Sequence, residues 1–140
     1  MADNKTYYAE ERTLDFWLCQ NANFTATSPA AVYVALFTAD PGNAGSQVAE
    51  VTTVGTAYAR VAATGLFGAP AGTPRQTTNS GGAVTFPTAT LSWGTVTHMA
   101  LLDAATAGNM LYYGALTASK TVDPGDTVTF PVSSITAQEQ

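Results

Sequence analysis

The sequence predicts a mostly β protein, a jelly-roll-like antiparallel β-sandwich with one short N-terminal helix, and three observations carry that expectation. After Pro29 the chain runs in short apolar and β-branched stretches. Gly, Pro, Asn and Asp separate these stretches as they do strands joined by tight turns. Only a stretch near the N-terminus has helical periodicity instead. At 140 residues the chain has the size of a single domain, read as a helical segment 1–28, a sandwich 29–135 and a tail 136–140.

The helix comes first. Tyr7, Leu14, Trp17 and Leu18 recur at spacings near three and four or their multiples, and Asn21 and Asn23 break the pattern. Thr6 or Asn4 can cap its start, because a short side-chain oxygen there accepts from a free N–H of the first turn. The stripe is expected to face the core; the alternative is that Tyr7, Tyr8 or Trp17 docks onto a neighbouring subunit. Cys19 is the only cysteine, which excludes an intramolecular disulfide, and inside a predicted helix it reads as a small buried apolar residue.

Seven strands follow. Residues 31–37 are nearly continuously apolar, which suggests a strand buried on both faces, ending at the turn Asp40-Pro41-Gly42. Further strands are expected over 47–53, 57–63, 83–86, 95–102, 110–116 and 127–132. Gly108-Asn109 reads as a hairpin connection, since both residues tolerate positive φ. Asp123-Pro124-Gly125-Asp126 reads as a type II turn, and the spacing of its acids does not match a calcium-binding loop. The connection 65–82 is long, rich in Gly, Pro, Ala, Thr and Asn, and carries Arg75, Gln76 and Asn79. Such a segment is either a flexible tip or one that orders against a partner. Thr64, Leu66 and Phe67 can extend the strand before it.

Charge excludes several functions. Charged residues are 11% of the chain, where about 25% is usual, so the surface must be built largely of Thr, Ala, Ser, Gly and Asn. The net charge is −5, and Lys5, Arg12, Arg60, Arg75 and Lys120 are scattered. No basic patch exists to hold a phosphate backbone or an anionic membrane. No run approaches the 18 or so apolar residues of a membrane span, and the N-terminus lacks the pattern of a leader peptide, so a soluble protein made in a reducing cytoplasm is expected.

Catalytic chemistry finds no support either. A hydrolytic triad would have to pass through the single histidine, His98, which falls in a predicted strand. No nucleophile elbow, phosphate-binding loop or dinucleotide fingerprint occurs. The expectation is therefore no enzyme, no cofactor and no metal. What a neutral surface does permit is burial against a partner without stranding charges.

Tyr33, Tyr58, Trp93, Tyr112 and Tyr113 alternate with small residues in predicted strands, and most should fill the core. Tyr112 and Tyr113 must face opposite sides of a regular strand, which makes one of them a candidate exposed anchor. The candidate contact residues are thus Tyr7, Tyr8, Trp17, Arg75, Gln76, Asn79, Tyr112 and Tyr113.

Over residues 31–130 the chain resembles a family of small structural proteins of tailed phages, described as head decoration or tail-fibre-like. The residues that carry the resemblance are Val32-Tyr33-Val34-Ala35-Leu36-Phe37-Thr38, Tyr58-Ala59-Arg60, Trp93-Gly94-Thr95-Val96-Thr97-His98, and Gly108-Asn109-Met110-Leu111-Tyr112-Tyr113-Gly114-Ala115-Leu116 leading to Ser119-Lys120-Thr121-Val122. Cement proteins of short-tailed phages are similar in length and character. That similarity implies a homodimer on the outer capsid surface of the virion, bridging major capsid subunits of the HK97-like type. The alternative it leaves open is a tail-fibre or baseplate component with a receptor- or carbohydrate-binding loop. In either case the segment before Asn21, the loop 65–82 and the tail after Ile135 are expected to make the assembly contacts.

Overall fold

Strand β2 (Tyr33–Phe37) shows why the chain folds as it does, because Val34, Ala35, Leu36 and Phe37 are all fully buried. A strand with both faces covered needs a sheet beside it and a layer on each side. The computed structural model, which describes residues 4–18 and 28–139, supplies both and is mostly β with one short helix and antiparallel sheets. The main sheet has the order β1 (Asn4–Lys5), β7 (Met110–Val122), β6 (Gly94–Leu102), β2 and β3 (Val61–Ala62). Two ribbons accompany it, β4 (Gln76–Thr78) with β9 (Thr136–Gln138) and β5 (Val84–Thr85) with β8 (Thr129–Phe130).

Side-chain alternation along the strands divides the interior in two. On one face Val34, Leu36, Val96, Met99 and Leu101 form one cluster with Val84, Phe86, Ile135 and Ala137 from the ribbon regions. Its centre is aromatic: the Tyr58 ring stacks on Phe86 at 6.0 Å and meets Trp93 edge-on at 5.3 Å. On the other face Ala35, Phe37, Ala100, Leu102, Met110 and Tyr113 form a smaller cluster. The polar tips of the aromatic group are all used. Trp93 Nε1 donates to the Thr56 carbonyl at 2.9 Å, and the Tyr58 hydroxyl accepts from the Leu36 N–H at 2.9 Å, just past the end of the two-residue pairing with β3.

The strands expected over 31–37, 83–86, 95–102 and 127–132 form, somewhat trimmed or shifted at their ends. Residues 47–53 do not make a strand: they pair with the sheet at the isolated bridge between Phe37 and Glu50, and Val51 and Ala49 pack against its two clusters. Residues 57–63 contribute only Val61–Ala62, since Ala57 has φ 59°, outside the extended region. The strand expected over 110–116 instead runs on to Val122. It does so through a bulge: Val96 pairs with Lys120 and His98 with Ala115, so residues 116–119 stand opposite Thr97 alone.

The turns divide likewise. Gly125, with φ 94°, occupies the expected turn, closed by the Asp126 N–H to the Asp123 carbonyl at 3.0 Å. The Gly108-Asn109 connection is longer than two residues. It spans 103–109, with positive φ at Ala107 and Gly108, and the Asp103 carboxylate accepts from the Asn109 N–H at 2.6 Å.

The long connection 65–82 and the tail are not loose ends relative to each other. Gln76, Thr77 and Thr78 pair with Gln138, Ala137 and Thr136, so each segment supplies the other's strand partner. Asn79 fixes the join. It is fully buried, its Nδ2 donates to the carbonyls of Gly82 at 2.8 Å and Pro131 at 3.0 Å, and its Oδ1 accepts from the Ile135 N–H at 2.8 Å.

Candidate interaction surface

The N-terminal arm is attached to the body by few bonds, each from a recognisable residue. Asn4 and Lys5 pair with Tyr113 and Tyr112 at the outer edge of β7. Thr6 is buried, and its hydroxyl donates to the Met110 carbonyl and accepts from the Ala9 N–H at 3.4 Å. It is thus the N-cap of helix α1 (Tyr7–Leu18), whose first helical bond runs from the Glu10 N–H to the Thr6 carbonyl at 3.0 Å. The Tyr7 N–H is taken by the Asn43 carbonyl at 2.9 Å.

From that anchor the helix presents its apolar side chains outward, and none of its residues is buried. Tyr7 is 62% exposed, Leu14 57%, Phe16 50%, Trp17 73% and Leu18 57%. At about 100° per residue Tyr7, Leu14 and Leu18 fall on one stripe with Trp17 at its side. The stripe expected to be buried in the core is therefore exposed. The half-buried residues Ala9 and Thr13 lie closer to the body, where Thr13 Oγ1 donates to the Ala9 carbonyl at 2.8 Å and accepts from Lys5 Nζ at 3.2 Å. Exposed apolar side chains of this kind on a protein with so few charges make the helix the candidate interaction surface.

A clasp beside the helix ties the two ends of the chain. Lys5 Nζ lies 2.5 Å from Glu139 Oε2, the Tyr112 hydroxyl donates to Glu139 Oε1, and the Glu139 N–H donates to the Arg75 carbonyl at 2.8 Å. Burial, and next the Glu139 carboxylate, push the Tyr112 hydroxyl above the usual tyrosine range. Between helix and clasp lies a cleft of about 390 Å³ lined by Lys5, Glu10, Thr13, Leu14, Asn43 and Gln138 among others.

The structure separates the predicted contact residues. Tyr7 and Trp17 are on the exposed stripe; Tyr8 is half-buried with the Arg12 guanidinium 5.4 Å from its ring centre. Arg75 and Gln76 are exposed on the ribbon. Asn79 has no surface to offer, and Tyr113 is buried in the smaller cluster with its hydroxyl on Asn43 Oδ1. Tyr112 is half-buried and engaged in the clasp. Sequence reasoning left out Leu14, Phe16 and Leu18 as contact residues, although their placement beside Trp17 on one helix was the available signal. Asn21, Asn23 and Cys19 lie outside the described residues.

No helix among the described residues is long and apolar enough to cross a membrane, and no group of His, Cys, Asp or Glu among them could hold a metal ion. His98 is half-buried in β6, with Nδ1 2.8 Å from Thr97 Oγ1.

A family model described as "Podophage GP4 fiber I protein gp80" matches residues 4–138, from the first residue of β1 to the last of β9. The chain belongs to this podophage family. Every element described above lies inside the match, including the arm and the clasped C-terminal strand. The chain is accordingly a structural protein of short-tailed phages. No curated protein matches it.

Proposed function

We propose that the chain is a component of the fibre apparatus of a short-tailed phage particle, and that it works by holding neighbouring virion proteins in place without catalysing a reaction. The observation that carries this reading is the match of residues 4–138 to a family whose description names a fiber protein. Two features of the chain support it: an exposed apolar helix anchored by Thr6, and a surface poor enough in charge to be buried without stranding ions. On this reading its partners are other virion subunits, and nucleic acid and membrane take no part. Bracing of major capsid subunits, the first expectation from the sequence, has no observation here that favours it over the fibre.

The experiment is to locate and count the chain in purified particles. Gold-labelled antibody should mark the tail end, and quantitative mass spectrometry should give few copies relative to the major capsid protein. Label spread over the head, with copy numbers approaching those of the capsid subunit, would return the chain to the head-cement reading.

A further inference from the structure

We infer that the exposed stripe of α1 docks into an apolar groove with a basic rim on a different protein of the same particle. The inference rests on the chain being a virion subunit and adds the chemistry of its partner.

The apolar content of the stripe comes from Tyr7, Leu14, Leu18 and Trp17, each more than half exposed. An amphipathic helix of three turns, laid in a groove by side chains spaced seven and four residues apart, is a common mode of recognition. Trp and Tyr are the side chains that most often carry the energy of such contacts.

Charge then selects the groove. On the helical wheel Glu10 lies about 60° to one side of Tyr7, between Leu14 and Trp17, and Glu11 about 40° to the other, beyond Leu18, so the two acids flank Tyr7 at the N-terminal end of the stripe. The helix has one cation, Arg12, placed about 140° from Tyr7, and its guanidinium lies over the Tyr8 ring instead. A partner surface must therefore offer apolar contact along the middle and Lys or Arg at the edges.

Through α1 itself a second copy of the chain does not meet that requirement. Parallel pairing of α1 with α1 would bring Glu10 and Glu11 of one copy against those of the other, and antiparallel pairing would set Glu10 near Asp15. The chain's apolar cleft of Met99, Leu116, Val128, Phe130 and Pro131 offers one cation, Lys120, which lies 3.8 Å from Asp126. The chain carries net charge −5 and has five cations, of which Lys5 is paired with Glu139 and Arg60 with Glu50. The partner is a different protein with a basic rim.

The test uses particles of the phage that encodes the chain, grown with variants as the sole copy. A photo-crosslinking benzoylphenylalanine at position 17 should join the chain to another virion protein, at a peptide that contains Lys or Arg. A crosslink to a second copy of α1, or none at all, would overturn the inference. The double variant Glu10→Lys, Glu11→Lys should lower incorporation at least about tenfold while leaving the urea midpoint of the purified chain unchanged, since both side chains are exposed. Undiminished incorporation would also overturn it. Absence of the wild-type chain from particles sinks the proposed function itself, whereas a chain that is present but insensitive at α1 sinks only the docking inference.

Discussion

Arg60 grips Glu50 in a fork, with Nε 2.8 Å from Oε1 and Nη2 2.7 Å from Oε2, and then spends its remaining N–H groups on the chain around it. Nη2 also donates to Gln47 Oε1 at 2.8 Å, and Nη1 donates to the carbonyls of Ala104 at 2.8 Å and Ala107 at 2.7 Å. All five donors of the guanidinium are satisfied. One side chain thereby ties the strandless segment 47–56 to the loop 103–109 that joins β6 to β7. Its second acceptor, Glu50 Oε1, also receives the Tyr58 hydroxyl at 3.1 Å, so the pin is continuous with the aromatic core.

The Arg60 side chain is only 4% exposed and that of Glu50 16%, so removing one partner strands the other. Arg60→Met should cost about 3–5 kcal/mol of stability, the range for breaking a buried pair. Arg60→Lys keeps the charge but loses the fork and both carbonyl contacts, and should recover only part of that loss. Urea unfolding of the three proteins measures it; a Lys variant as stable as the wild type would show that charge alone, and not the planar fork, makes the pin.

The loop held by Arg60 makes its own demand at Gly108. A Cβ at this position would lie 2.5 Å from Asp103 Oδ1 and 2.6 Å from Ala104 Cβ, and φ is +73°. At Gly125 the φ is +94°, but nothing lies within 4 Å. Gly125→Ala should therefore cost about 1–2 kcal/mol from backbone conformation alone, and Gly108→Ala clearly more. Equal losses in melting temperature would mean that the Asp103 side chain moves aside without penalty.

Asn79 gives a third prediction. Asn79→Ala would leave the Gly82 carbonyl and the Ile135 N–H without their partner, at about 1–3 kcal/mol for each buried group left unmade, whereas the Pro131 carbonyl keeps its bonds from Ser134. A total loss of at least about 2 kcal/mol is expected, together with faster hydrogen exchange at the Ile135 amide. Unchanged exchange at that amide would contradict the role given to Asn79.

Asn79 also marks where sequence reading stopped. β2 and β6 were legible because Val34, Leu36, Val96 and Leu101 form apolar patterns that only a sheet buries. β4 and β9 were not, because Gln76, Thr77, Thr136 and Gln138 are polar and become strands only by meeting each other across some 60 residues. No local pattern encodes that meeting. The helix failed in the opposite sense: its period was correct, but period says only that Tyr7, Leu14 and Leu18 share a face, not that the face turns inward. For the same reason Tyr113 was offered as an anchor, although alternation alone could not say that a second cluster of Phe37, Leu102 and Met110 would cover it.

Alkaline pH supplies the last prediction, through Tyr58 and Tyr112. Burial, the larger cause in both cases, raises each phenol above the ordinary tyrosine value of about 10, and the carboxylates of Glu50 and Glu139 raise them further. In the unfolded chain both phenols ionise near that ordinary value, while in the folded chain both stay protonated. Above about pH 10 the folded state therefore binds more protons than the unfolded state, and stability must fall as pH rises. Below that value both states hold the protons and these two groups add no slope. Tyr58→Phe should start lower at neutral pH, because the Leu36 N–H loses its acceptor, yet its stability should decline less steeply between about pH 10 and 11.5. Tyr112→Phe should also flatten the decline, with a smaller loss at neutral pH, since Tyr112 is only half-buried. Urea midpoints across this range decide it: a decline equally steep in the wild type and in the Tyr58→Phe, Tyr112→Phe double variant would place the alkaline sensitivity elsewhere in the chain.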